Sequence, residues 1–181
     1  MSKGHAGLAL YCVLEHAGLI PSVKIDSYLQ ENSLIGGEPC MRDCEWIEAT
    51  TGSLGHGLSM GVGMAMAFQT NKSQAKVYVM LGDGECEEGN IWEAAMLAAA
   101  QGLSNLIVIL DSNKIQKMDF VDKTIGEPDW RKKWSAFGWD VDETDGHNME
   151  EFASVLKQPT KNAKPRIIIA HTIKGKGVSI I

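Results

Sequence analysis

Three short, almost unbroken apolar runs constrain this chain most: "KVYVML" (76–81), "NLIVIL" (105–110) and "RIIIAHT" (166–172). Each has the length of a strand, and strands this continuously apolar are expected to be buried on both faces. Helical patterns separate them, one near 88–101 and one near 148–157, with a further strand-like run at "WDVDET". This alternation predicts an α/β fold, a mostly parallel sheet flanked by helices. The first of these helices has Glu87 and Glu88 near its start, "WEAAMLAAA" in its body and Gly102 just beyond its end. Those are boundary signals, and the alanines let the helix lie close to a sheet. Asn148 and Glu151 have capping-box spacing ahead of the second helix. Residues 116–129, "QKMDFVDKTIGEPD", follow neither period and predict an irregular segment, functional or mobile.

A chain of 181 residues fits one domain with a real core. Its net charge of −6 argues against a general binder of nucleic acid or membrane surfaces. Cys12, Cys40, Cys44 and Cys86 are too few and too irregular for a disulfide framework, so a reducing cytoplasm fits best. Cys40 and Cys44 have His56 downstream but no second pair at a zinc-binding spacing. The opening "MSKGHAGLALYCVLEHAGLI" reads as an amphipathic helix, because Glu15 and His16 cut its apolar run too short for a signal peptide. Residues 49–71 carry no Asp, Glu, Lys or Arg and place Gly57 and Gly61 at a membrane-helix spacing, but five glycines, several hydroxyls, His56 and Gln69 make them too polar to span.

In "VYVMLGDGECEEGN" an apolar run ends in Gly82-Asp83-Gly84 and then adds Glu85, Glu87 and Glu88. If the strand before this turn and the strand ending in "LDSNKI" are parallel neighbours, their tips emerge at one sheet edge about 5 Å apart. Asp83 and Asn113 would then offer oxygen to one ion, a set that suits magnesium or calcium. A phosphate 4 Å from a bare Asp83 would be repelled by about 4 kcal/mol at an effective dielectric near 20, whereas a bound dication reverses that sign. Gly82 and Gly84 would let backbone N–H groups approach the same anion. A Gly-Asp-Gly by itself is as consistent with a purely structural turn.

Gly-Asp-Gly, 28 residues, then Asn113 resembles the thiamine diphosphate binding motif. The whole chain resembles the amino-terminal subunit of a split transketolase. The matching blocks are "SKGHAGLALYCVL", "IEATTGSLGHGLSMGVGMAMA", "LGDGECEEGNIWEAAM", "LSNLIVILDSNKIQ", "KWSAFGWDVDETDGH" and "AHTIKGKGVS". The resemblance implies the thiamin diphosphate-binding fold, with Asp83 and Asn113 holding Mg2+, or another divalent ion such as Ca2+, through side chains and Ile115 through its carbonyl. It sets Gly82, Gly84 and Glu85 along the diphosphate, Gly52 and Leu54 at the cofactor's rings, and Lys174 near the cofactor. His5 would face diphosphate and substrate, and Glu88 would join a carboxylate network between active sites; both are candidate catalytic residues. On spacing alone His5 caps the first helix, Glu88 is a helix-start glutamate, and Gly52 serves helix packing. Trp130, Trp134 and Trp139 read as core or interface aromatics.

The implied chemistry is transfer of a two-carbon ketol unit between sugars. The glutamate that activates the cofactor is expected on a partner, a carboxy-terminal subunit carrying the pyrimidine-binding domain, in a homodimer or heterotetramer, so the chain alone is expected to be inactive. The same Gly-Asp-Gly to Asn unit occurs in 2-oxoacid dehydrogenases and deoxyxylulose-phosphate synthases, and a non-catalytic relative is a third reading. Family members usually carry further segments before "SKGHA" and after "GVS", with substrate-side histidines, so terminal segments of the family domain are expected to be missing here. Where the family commonly reads Gly-His-Pro this chain has "GGEPC", and Glu38 disfavours a phosphorylated substrate by the same Coulomb argument.

Overall fold

The computed structural model describes residues 1–160 and 162–179. Among these residues four strands, β1 (Val77–Gly82), β2 (Leu106–Ser112), β3 (Asp140–Asp145) and β4 (Arg166–His171), form one sheet in the order β1-β2-β4-β3. Every neighbouring pair is parallel, so all four carboxyl ends leave by one edge. The chain runs from β2 out to the far edge as β3 and then returns to fill the gap as β4.

Seven helices among the described residues surround this sheet: α1 (Gly7–His16), α2 (Ser22–Asp26), α3 (His56–Thr70), α4 (Gly89–Ala100), α5 (Val121–Ile125), α6 (Trp130–Ala136) and α7 (Met149–Lys157). Helices α3, α4 and α6 share one hydrophobic core with Val77, Val79, Leu81, Leu106, Val108, Leu110, Ile167 and Ile169. Because strand side chains alternate between faces, Arg166 and Ile168 point to the other face. There α7 covers them, and Arg166 donates to the Val155 and Gln158 carbonyls at 2.7 and 2.8 Å. Gly61 faces Val79 so closely that a Cβ would come within 2.5 Å of its methyl, so Gly61 serves helix-on-sheet packing, while Gly57 abuts Ser2. No described helix is long and apolar enough to cross a membrane.

Burial on both faces holds for β2 and β4 but not for β1, where Tyr78 is 50% exposed. β1 is an edge strand beyond the reach of α7. The capping box forms as spaced, with Asn148 accepting from Glu151 N at 3.1 Å. Residues 116–129 are more ordered than their sequence suggests: Ile115 bridges to Phe120 and α5 follows, a helix of five residues, too short to display a period. Trp130, Trp134 and Trp139 are all buried in the main core, as core aromatics should be. A second, smaller core of Tyr11, Leu14, Ile20, Ile35, Cys44 and Ile47 holds α1, α2 and the loops before α3.

Candidate cofactor site at the strand tips

Gly82 of β1 lies in register with Asp111 of β2, so Asp83 and Asn113 leave neighbouring strands at the same edge. Asp83 Oδ1 accepts from Gly84 N at 2.8 Å, and Oδ2 accepts from Lys114 N at 2.6 Å. The next amide, Ile115 N, donates to Asn113 Oδ1 at 3.0 Å. The two oxygens that the sequence nominates as ion ligands therefore sit on consecutive N–H groups. Lys114 carries this turn in a left-handed conformation, φ +65, which costs an L-residue about 1–2 kcal/mol. Nothing in the sequence announces that strain, and a turn of this kind is often found at functional sites.

Three features suit a hard cation. The ligand set is all oxygen, from a carboxylate, an amide and a carbonyl. The Ile115 carbonyl accepts no hydrogen bond among the described residues. Asp83 is 3% exposed, and among the described residues no cationic side chain lies within ion-pair distance of it. Burial pushes its pKa up, more than the two backbone bonds pull it down, with Asp111 adding repulsion and Lys3 partly offsetting it. A divalent ion would answer that buried charge, so the residues present fit the implied metal.

Glu85 is also buried, and its carboxylate is already engaged. Oε1 accepts from Ser2 Oγ at 2.5 Å and Gly55 N at 2.8 Å, while Oε2 accepts from Gly82 N at 3.1 Å. Its side chain thus ties the first residues, the loop before α3 and the end of β1 together, which leaves its backbone as the part that can meet a diphosphate. Ser2, Lys3 and Asp111 were not among the sequence-nominated residues, since their partners lie 83 and 108 positions away. Lys3 is buried and pairs with Asp111, which also accepts from Thr172 Oγ1 and from Asn113 Nδ2 at 3.1 Å. These bonds hold the Asp111 carboxyl below the usual carboxylate range, against the opposing effect of burial.

His5 lies beside this cluster, exposed, and makes no side-chain cap on the short 3-10 helix Gly4–Ala6. Partial desolvation of its ring lowers its pKa, helped by the charges of Lys3 and Lys174 and opposed by Glu85 and Glu38. Lys174 and Glu38 thus lie near enough for their charges to act on the imidazole. Gly52 (φ +148) packs its backbone against Gly4, where a Cβ would come within 2.7 Å, and faces the Glu38 carboxylate directly. His5, next to Gly4, and Gly52 therefore lie close together, and half-buried Leu54 follows in the same loop as Gly52. Glu88 stands apart, exposed at the N-cap of α4 with no side-chain cap bond. A cavity of about 330 Å³ opens at the same sheet edge, lined by Asp83, Ser112, Lys114, Trp130, Glu143 and His171 among others.

Residues 1–180 match the family model described as transketolase, thiamine diphosphate binding domain. An apulose-4-phosphate transketolase subunit from Phocaeicola vulgatus is 44% identical over 180 residues, 99% of this chain and 64% of the relative. The 6-deoxy-6-sulfo-D-fructose transketolase subunit SqwG of Clostridium sp. strain MSTE9 is 41% identical over 99% of this chain and 66% of its own length. The chain thus spans somewhat less than two thirds of these curated relatives. Among solved structures, the transketolase from Campylobacter jejuni superposes with a TM-score of 0.89 and 34% identity, over 98% of this chain and 29% of that one.

Proposed function

Because the chain belongs to the transketolase family, in its thiamine diphosphate binding domain, we propose that it is the diphosphate- and Mg2+-binding subunit of a transketolase-like transferase, moving a two-carbon ketol unit between sugars. The observation that carries this reading is the pair of parallel strand tips, with buried, cation-free Asp83 and the Asn113 amide oxygen on adjacent N–H groups among the described residues.

In this reading Asp83, Asn113 and the Ile115 carbonyl hold the divalent ion, and Gly82, Gly84 and the Glu85 backbone lie along the diphosphate. Bound thiamine diphosphate supplies the electron sink for breaking and forming the ketol carbon–carbon bond. His5 supplies a ring N–H to a phosphate or substrate oxygen. Lys174 adds positive charge on the same side, and Gly52 and Leu54 form the wall against the rings. Glu88 faces outward, positioned to reach a second subunit. Glu38 sets an anion next to His5 and Gly52, which turns the site away from phosphorylated groups bound there.

Domain, partner and location follow the same reading: a single cofactor-binding domain, cytoplasmic, and inactive until joined by a polypeptide carrying the pyrimidine-binding domain. That several relatives are named as subunits of a transketolase, rather than as whole enzymes, supports the partner. Calorimetry of thiamine diphosphate binding to the mixed subunits tests the proposal. Binding should require Mg2+, strengthen with the partner and vanish in Asp83→Ala; undiminished binding by that variant would sink it. Glu38→His should improve turnover of ketose phosphates, and no gain would remove Glu38 as the cause of selectivity.

A further inference from the structure

An asparagine amide offers an oxygen on one side and a nitrogen on the other, nearly equal in shape and opposite in their value to a cation. The wrong orientation at Asn113 would point an NH2 group at the ion. Asp111 and the Ile115 N–H fix the orientation from two sides, the carboxylate drawing the nitrogen and the N–H donating to the oxygen at 3.0 Å. Asp111 Oδ2 lies 3.1 Å from Asn113 Nδ2, and an ionised carboxylate only accepts hydrogen bonds, so the nitrogen must face Asp111 and the oxygen must face away. A flipped amide would set two oxygens against each other in a half-buried site.

Asp111 is itself immobilised on both oxygens. Lys3 Nζ donates to Oδ2, and Thr172 Oγ1 donates to Oδ1. Lys3 is fixed in turn, since Ser2 N and Lys3 N both donate to the Met80 carbonyl of β1, at 2.9 and 3.3 Å. The chain of contacts therefore runs from the N-terminal segment, through Lys3 and Asp111, to the orientation of the Asn113 amide. Among the described residues the Asn113 oxygen accepts only from Ile115 N, and its second lone pair is left for a ligand.

We propose that Asp111, held by Lys3 and Thr172, is a positioning residue that locks the Asn113 amide with its oxygen toward the cation and so sets the divalent-ion affinity of the site. This rests on the cofactor-site reading above. Orienting partners of metal ligands typically account for about 10- to 100-fold in affinity, and Asp111→Asn should lose affinity in that range, because an amide at 111 no longer selects the nitrogen side and, among the described residues, leaves the Asn113 amide held only by the Ile115 N–H.

The test is an electron paramagnetic resonance titration of Mn2+ into the chain mixed with its partner subunit and thiamine diphosphate. Wild type should bind one ion, and Asp111→Asn should bind it about 10- to 100-fold more weakly while its circular dichroism stays unchanged. Failure of wild type to bind Mn2+ would defeat the cofactor-site reading, whereas a variant that binds as tightly as wild type would overturn the positioning role alone. Should Asp111→Asn not fold, the wild-type side-chain amide spectrum decides: one Asn113 Nδ2 proton should exchange slowly with solvent. Fast exchange of both protons would overturn the proposal.

Discussion

The first 55 residues and the sheet unit that follows are held together by different forces. The sheet unit buries a continuous core from α3 to β4, with Leu81, Leu106, Leu110 and Ile167 fully enclosed. The N-terminal segment has only a small core around Tyr11 and Ile35 and leaves Val13 64%, Leu29 72% and Trp46 49% exposed. What fastens it to the sheet is largely polar: Ser2 to Glu85, Lys3 to Asp111, and Ser2 N to Met80, with Thr51 tied to the Met1 carbonyl behind them. Those fastenings converge on the sheet edge that carries Asp83 and Asn113. In this chain the device that docks the weaker region is built into the candidate site.

The comparison breaks most directly with Leu110→Ala. Leu110 is fully buried, so truncation should cost about 2–5 kcal/mol in urea unfolding; a loss under about 1 kcal/mol would mean that the sheet core is not the stable half. Glu85→Gln comes next. It sets an amide nitrogen among three donors, and leaving one unsatisfied should cost about 1–3 kcal/mol and loosen the N-terminal segment. Hydrogen exchange sharpens the contrast without mutation: α1 amides should exchange through local opening well before those of β2 and β4, and equal protection would erase the distinction.

The smallest effect concerns Tyr11, whose hydroxyl donates to the Glu38 carbonyl at 2.9 Å. Burial, then the charge of Asp43, pushes its pKa up to about 12. A phenol that holds its proton more tightly when folded contributes stability present below its unfolded pKa, near 10, and lost as pH rises toward 12. Tyr11→Phe should flatten unfolding free energy across that alkaline window, and an unchanged slope would contradict the assignment.

Much of the fold was legible because periodicity reports burial, and β2, β4 and α4 bury the residues their patterns promise, while the Asn148 cap starts α7 where its spacing predicts. The convergence of Asp83 and Asn113 on one sheet edge was legible for a related reason. Asp83 and Asn113 end consecutive strands of one crossover unit, whose geometry is nearly fixed by handedness. The supports were not legible. Ser2 reaches Glu85 across 83 positions and Lys3 reaches Asp111 across 108, and no local pattern encodes contacts that distant. Lys114 was missed because a left-handed turn at a lysine leaves no glycine to mark it. The insertion of β4 between β2 and β3 was likewise invisible, since strand order follows from packing rather than from the period of any one strand.

A crystal of the chain with its partner, grown with Mn2+ and thiamine diphosphate, tests the central claim by anomalous scattering. One manganese peak should appear between the Asp83 carboxylate, the Asn113 amide oxygen and the Ile115 carbonyl, touching the diphosphate. A diphosphate seated elsewhere, or bound there with no metal between it and Asp83, would contradict the account.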